Sequence, residues 1–174
     1  APGDGSDGVT LNDPDDEDVG PNTLLNFPVL TAVEGIGTNS VNVRGTACPG
    51  CQVVIATAAL DPTGYGEIQG ASIRPTAASD GTFSGNMGLA AGGWVTAYAI
   101  DQNGNMSECS KAMQGPQKIF VDRTDDLLVT TCSAAANDCT LRGALTIVER
   151  GDTIAFGATI FPVSPVATIN VTGA

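Results

Sequence analysis

Trp94-Val95-Thr96-Ala97-Tyr98-Ala99-Ile100 runs straight into Asp101-Gln102-Asn103-Gly104-Asn105. The first stretch is rich in β-branched and aromatic residues. Trp94, Thr96, Tyr98 and Ile100 recur at period two, so a strand built from it turns one face toward an opposing sheet. The second stretch supplies the Asn-Gly pair that a tight hairpin needs. The same alternation of short β-forming run and turn recurs outward in both directions. The runs are Phe27 to Val33, Ser40 to Ala47, Gln52 to Ala59, Glu67 to Arg74, Gly81 to Met87, Gly93 to Ile100 and Ser107 to Ala112. Runs at this spacing predict a β-sandwich, with Val41/Val43 and Val53/Ile55 also at period two and Trp94 at the centre of the core. Cys48-Pro49-Gly50-Cys51 offers Pro at the second and Gly at the third place of a type II turn.

Composition agrees with an all-β chain. The 174 residues include 42% hydrophobic ones, mostly Val, Ile, Ala and Leu, with 22 Gly and 10 Pro set between short apolar runs. That suffices to bury a core in one domain or two small ones. Nineteen acidic residues against seven basic give a net charge of −12, which disfavours nucleic-acid and anionic-lipid partners because phosphate binding needs clustered Lys and Arg. Histidine is absent, so His-based acid/base chemistry and Ser-His-Asp or Cys-His nucleophiles have no carrier. No apolar run approaches the ~18 residues of a membrane span. The Ala-Pro-Gly start reads as a product of signal-peptide cleavage, though a cut made elsewhere would look the same. Five cysteines in an acidic, turn-rich chain point to an oxidising, secreted, extracellular or cell-surface setting.

Residues 1–26 form an acidic N-terminal segment. Asp4, Asp7, Asp13, Asp15, Asp16, Glu17 and Asp18 fall close together with almost nothing apolar between them. Like charges at that density either keep the segment extended and solvated or gather calcium, the one cofactor expected, on Asp13, Asp15, Asp16, Glu17 and Asp18. The EF-hand spacing is missing. Asp101, Asn103, Asn105 and Ser107 alternate like half a calcium loop, but between two strand patterns they read as a hairpin.

Two motifs carry family resemblances. Gly45-Thr46-Ala47-Cys48-Pro49-Gly50-Cys51-Gln52-Val53, and Thr96-Ala97-Tyr98-Ala99-Ile100-Asp101 followed by Gly104-Asn105-Met106-Ser107-Glu108, resemble the hairpin-closing patterns of bacterial immunoglobulin-like modules of secreted and surface-anchored proteins. The resemblance covers about half the chain and implies an immunoglobulin-like β-sandwich over residues 27–113. Such modules serve as spacers, adhesive tips and fibre subunits alike, so it says little of function.

Residues 114–118 read as a linker, followed by a last unit at residues 119–174. There Ile119-Phe120-Val121 opens a strand and Leu127 to Thr131 continues as another. Leu141, Ala144, Leu145 and Val148 then mark one face of a short helix across Cys139 to Glu149, with Asp138 as cap and Gly151 as stop. Strands follow at Thr153 to Phe156 and Ala167 to Val171. Cys132, then Cys139-Thr140-Leu141-Arg142 and Gly151-Asp152-Thr153-Ile154, resemble the CSLREA-type entry to right-handed parallel β-helices of bacterial surface proteins. In that family the helix lies across the open end of the first coil. Gly143 stands where the family has Glu, at a cost of about 1 kcal/mol to the helix. The fold class expected is therefore all-β, an immunoglobulin-like sandwich plus a short β-helix-like unit with one small capping helix. A disulfide between Cys132 and Cys139 would close a short loop against the helix start, and the resemblance implies the same pairing.

Cys48 and Cys51 form a C-x-x-C. A hairpin turn offers no helix N-terminus to activate a thiol, so a bridge across the turn is preferred to redox or zinc chemistry. Cys109 is then left over, either a buried thiol or a crosslink to a neighbouring subunit. Asn105-Met106-Ser107 and Asn170-Val171-Thr172 match a glycosylation pattern that a bacterial protein would usually leave unused. Asp122, Asp125 and Asp126 cluster near the start of the last unit, but with no paired acid and base for glycoside cleavage they read as a solvated turn.

A β-helix that stops about one coil after it opens leaves an edge to be covered. The expectation is a non-catalytic structural protein that self-assembles with copies of itself into an extracellular filament or surface layer by strand-edge pairing. Its donors would be Thr153, Ile154, Phe156, Thr168, Ile169 and Val171, with Phe27 to Val33 as an alternative edge. The competing expectation is a fragment of a larger cell-surface adhesin or carbohydrate-binding β-helix protein, with extracellular glycans as partners.

Overall fold

The computed structural model describes residues 10–14, 20–37, 39–60, 62–133, 135–149, 151–158 and 160–161. Of the acidic segment it describes Asp13; Asp15, Asp16, Glu17 and Asp18 lie outside the described residues, as do Thr168, Ile169, Val171 and the expected strand at Ala167 to Val171. Among the described residues the protein is all-β with one short α-helix, and the chain divides into two compact units, residues 1–115 and 116–174. Among the described residues no helix is long and apolar enough to cross a membrane.

Among its described residues unit 1 holds seven strands: β1 Val29–Gly37, β2 Ser40–Thr46, β3 Gln52–Leu60, β4 Gly66–Ile73, β5 Thr82–Gly88, β6 Trp94–Ile100 and β7 Met113–Gln114. They form two antiparallel sheets, ordered β1-β2-β5 and β4-β3-β6-β7. One apolar cluster joins them: Leu30, Val33, Val41, Val43, Phe83 and Met87 from the first sheet meet Val53, Ile55, Val95 and Ala97 from the second. Alternation along each strand puts these residues on the facing sides. Each fully buried aliphatic side chain among them contributes about 1.5–3 kcal/mol relative to exposure.

Trp94 is not the core centre. It shares an outward face with Thr96 and Tyr98 and is half-buried, while Val95 and Ala97, one step along, are fully buried. Thr96 is buried from the other side. Residues 64–66 and 110–112 bridge to each other, through Ala112 N–H to Gly64 O at 2.9 Å and a Tyr65–Lys111 bridge. Thr96 Oγ1 donates to Ser110 O at 2.9 Å. Gly66 sits against the Thr96 side chain with no space for a β-carbon.

The expected strand Ser107 to Ala112 is instead an irregular edge. Ser107 and Ser110 N–H donate to Ala99 and Ala97 carbonyls, while the Ser107 and Ser110 hydroxyls accept from Ala99 N–H (2.8 Å) and Ala97 N–H (3.0 Å). Side-chain oxygens thus replace ladder carbonyls, and regular pairing resumes only at Met113–Gln114. β1 begins after Pro28, which has no N–H to give a ladder, and continues to Gly37 rather than stopping at Val33. The residues expected as a linker are partly in strands, Gln114 in β7 and Lys118 in the next unit.

Unit 2 holds β8 Lys118–Val121, α1 Leu141–Ile147 and β9 Thr153–Phe156. β8 and β9 pair in parallel, Lys118 to Thr153 through Val121 to Phe156. The helix is shorter than expected and is capped by Thr140 rather than Asp138, since Thr140 Oγ1 accepts from Gly143 N–H at 3.0 Å. Asp138 instead accepts from Ser133 N–H at 3.0 Å and from the Ser133 hydroxyl. The helix ends at Val148 in extended backbone, and Gly151 serves the following turn with φ +97°. The expected strand Leu127 to Thr131 is reduced to a bridge between Thr130 and Cys139.

Candidate functional site

The start of α1 in unit 2 is built from the Cys139-Thr140-Leu141-Arg142 run, each residue with a separate task. Cys139 is bonded to Cys132 and fully buried, and its carbonyl accepts from Asp122 and Arg123 N–H at 3.0 and 3.1 Å. The fully buried Thr140 hydroxyl donates to Leu127 O at 2.6 Å besides capping the helix. Leu141 and Ala144 join Ile119 and Val121 of β8 in one cluster. Arg142 clasps Asp126 with two bonds, Nε to Oδ1 at 2.9 Å and Nη2 to Oδ2 at 2.6 Å; these bonds, then its charge, raise the guanidinium pKa above its ordinary value.

Of the three carboxylates near the start of unit 2, Asp125 is exposed in a turn as expected, whereas Asp122 and Asp126 are tied to distant segments of the unit. Asp122 accepts from Cys139 N–H (2.9 Å) and Asn137 N–H, Asp125 from Arg123 Nε and Nη2 (3.0 and 2.6 Å), and Asp126 holds Arg142. The Arg123 hydrogen bond holds the Asp125 carboxyl below the usual value. Spacing alone hid these partners, because Arg142 lies sixteen positions from Asp126. Asp152 was also missed: it accepts from Gln117 N–H (2.7 Å) and Glu149 N–H (3.0 Å) and so ties the entries of both strands together.

The far side of the pair is different. Among the described residues no strand pairs with the outer edge of β9. Ile119 and Val121 of β8 are 5% and 0% exposed, but their register partners on β9 are less covered, Ile154 half-buried and Phe156 48% exposed. Phe161 stands edge-on to Phe156, ring centres 5.2 Å apart. Of the residues expected to drive assembly, Thr153, Ile154 and Phe156 lie together on this strand.

In unit 1, Cys48 and Cys51 form a disulfide across their turn, with Gly50 at φ +76°. Cys109 is a free, half-buried thiol. Burial raises its pKa, a Thr96 hydrogen bond opposes, and the Glu108 charge raises it further. Asp101 accepts from Asn103 and Asn105 N–H, each at 2.8 Å, and from Asn105 Nδ2 at 2.7 Å, bonds that lower its pKa, the Asn105 side chain most. Asp13 is paired by its backbone to the Asn26 side-chain amide, at 2.9 and 2.8 Å. Among the described residues no group of three or more His, Cys, Asp or Glu side chains is gathered for a metal.

No family model matches the chain, and no curated protein matches it. Two solved structures similar to it are variants of superoxide reductase (neelaredoxin) from Ignicoccus hospitalis. Each is 9% identical, with the likeness covering 51% of this chain and 77% of that one at a TM-score of 0.33. A likeness that slight carries no argument about fold or activity.

Proposed function

We propose that this chain is a secreted, non-catalytic structural protein of the cell surface that assembles by adding a parallel strand to the edge of β9. The carrying observation is the difference in burial at register-matched positions. Inward residues of β8 are covered by α1 and by β9, whereas Phe156 of β9 stays half in water beside Ile154. A parallel pair is stable when both faces and both neighbours are supplied, and a further layer would bury the same column of side chains. The occupant in this reading is another copy, giving an extracellular filament or surface layer. Unit 1 is read as an immunoglobulin-like spacer. Its sheet orders β1-β2-β5 and β4-β3-β6-β7 over a shared core support that reading, and calcium on the acidic segment would stiffen the junction.

A second reading is favoured by one feature. The helix and the Cys132–Cys139 bridge share one apolar cluster with β8 and Ile154, and among the described residues no strand pairs with the outer edge of β9, which suits the capped start of a β-helix extended by the same polypeptide in a larger adhesin or glycan-binding protein. Electron microscopy of the purified chain with and without calcium separates the two. Filaments that disappear in Ile154→Asp, with the disulfides and far-UV spectrum intact, support self-assembly. A monomer under every condition removes it, and a calorimetric titration without calcium uptake removes the ion.

A further inference from the structure

We propose that β5 is a second docking edge, on which another copy of the chain adds its own β5 antiparallel across a two-fold axis, fusing two three-stranded sheets into one. An outer strand presents unpaired N–H and C=O groups, and proteins blunt such edges with bulges, charges, proline or shortness. β1 has two register shifts against β2 and carries Glu34. β4 has a register shift against β3 and carries Glu67. β7 is only two residues long. β5 is covered only at its first residue, where Thr82 O accepts from Ala78 N–H at 2.8 Å and Thr82 N–H donates to Asp80, and Ser84 and Asn86 beyond it have none of these protections. Thr82-Phe83-Ser84-Gly85-Asn86-Met87-Gly88 contains no charge and no proline, keeps an unbroken register with β2 from Thr46–Thr82 to Ser40–Gly88, and among the described residues has no strand on its outer side.

Two observations favour a second copy as occupant. The chain carries −12 charges, so copies repel wherever carboxylates meet, and this strand lets backbones approach without that penalty. The nearest carboxylate, Asp80, is turned back onto Thr82 N–H and Oγ1 at 2.9 and 2.7 Å. The second observation is a polar ladder on the outer face of the sheet. Glu34 pairs with Arg44 (3.1 Å), Arg44 Nε donates to Asn42 Oδ1 (2.9 Å), and Asn42 Nδ2 donates to Asn86 Oδ1 (2.6 Å). The ladder ends at the edge strand on the exposed Asn86 amide, whose oxygen accepts from Asn42. A two-fold near Gly85 places Ser84 and Asn86 opposite each other across the axis, a polar cross-strand pair, while Phe83 and Met87 stay in their own cores. The contact is isologous, so it closes as a dimer.

The inference rests on unit 1 and is independent of β9. Two strand edges make a small interface, so association is expected to be weak and concentration-dependent. Sedimentation velocity of the full chain at raised ionic strength tests it beside Ile154→Asp, which keeps β5 intact, and the outward-facing double variant Ser84→Lys/Asn86→Lys. Ile154→Asp, in which assembly through β9 is blocked, should pass from monomer to dimer, and the wild type should show the same step below the concentration at which it forms filaments. The double variant, with an unchanged far-UV spectrum, should need at least about tenfold more protein. Hydrogen exchange on the wild type gives a readout that needs no variant: β5 amides should gain protection as concentration rises, and β1 amides should not. A wild type monomeric throughout, unchanged dimerisation of a folded double variant, or protection that appears on β1 instead overturns the proposal.

Discussion

Gly143 stands against the carbonyl oxygen of Val129 so closely that a β-carbon on it would fall inside that oxygen. The helix α1 is therefore seated backbone to backbone on the segment before the Cys132–Cys139 loop. Its missing side chain is a packing requirement rather than a defect of the helix. Replacing Gly143 by Ala would gain ~1 kcal/mol of helix propensity and force the helix off its seat. The net result expected is a loss of about 1–3 kcal/mol, read as a lower urea midpoint for unit 2. A stabilised variant would show that the seat is not held.

A second close approach makes the same prediction for unit 1. Gly66→Ala drives a methyl into Thr96, which is fully buried beneath the Tyr65–Lys111 crossing. A loss of about 1–3 kcal/mol is expected, whereas Gly104→Ala, with nothing near its side-chain position, should show only the cost of φ +86°. Chemical denaturation of the two variants side by side checks the ranking.

Removing the Cys132–Cys139 bridge should cost about 2 kcal/mol by the chain-entropy argument. Cys132→Ser/Cys139→Ser should lower the stability of unit 2 while the Cys48–Cys51 bridge still forms. Mass mapping of unreduced peptides verifies the remaining link, and a melt equal to the wild type would count against the bridge as a fold support.

Acid should weaken both units through carboxylates whose pKa is depressed in the fold: Asp80 by Thr82, Asp101 by Asn105 and Asp125 by Arg123. A depressed folded pKa means the contribution is full above the unfolded value of about 3.9 and is lost as pH falls through the folded value. Thermal midpoints should therefore hold steady near neutrality and fall on acidification toward pH ~2. Asp101→Asn should flatten the part of that fall belonging to its hairpin.

The Cys109 thiol should alkylate slowly at neutral pH, because burial and then the Glu108 charge disfavour the thiolate. Rates should climb only above the ordinary thiol range of about 8.5. Glu108→Gln should speed the reaction modestly at constant pH, and a thiol already fast at neutrality would contradict the burial.

Sequence by itself determined the class of element and most of its positions. Period-two runs and their Pro-Gly and Asn-Gly turns marked the strands, because alternation and turn chemistry are local properties. The apolar run Leu141, Ala144, Leu145 and Val148 marked the helix for the same reason, although Leu145 lies outside the buried face and stays 61% exposed. Which face of Trp94-Val95-Thr96-Ala97 points inward was decided only by the fold, since both faces of that strand are apolar enough to be buried. The partners of Asp122, Asp126 and Asp152 were likewise set by chain segments far apart in sequence, as was the reason for a glycine at 143. Long-range contacts of backbone oxygen, hydroxyl and carboxylate leave no periodic trace, so only the packed chain shows which side chain each one meets.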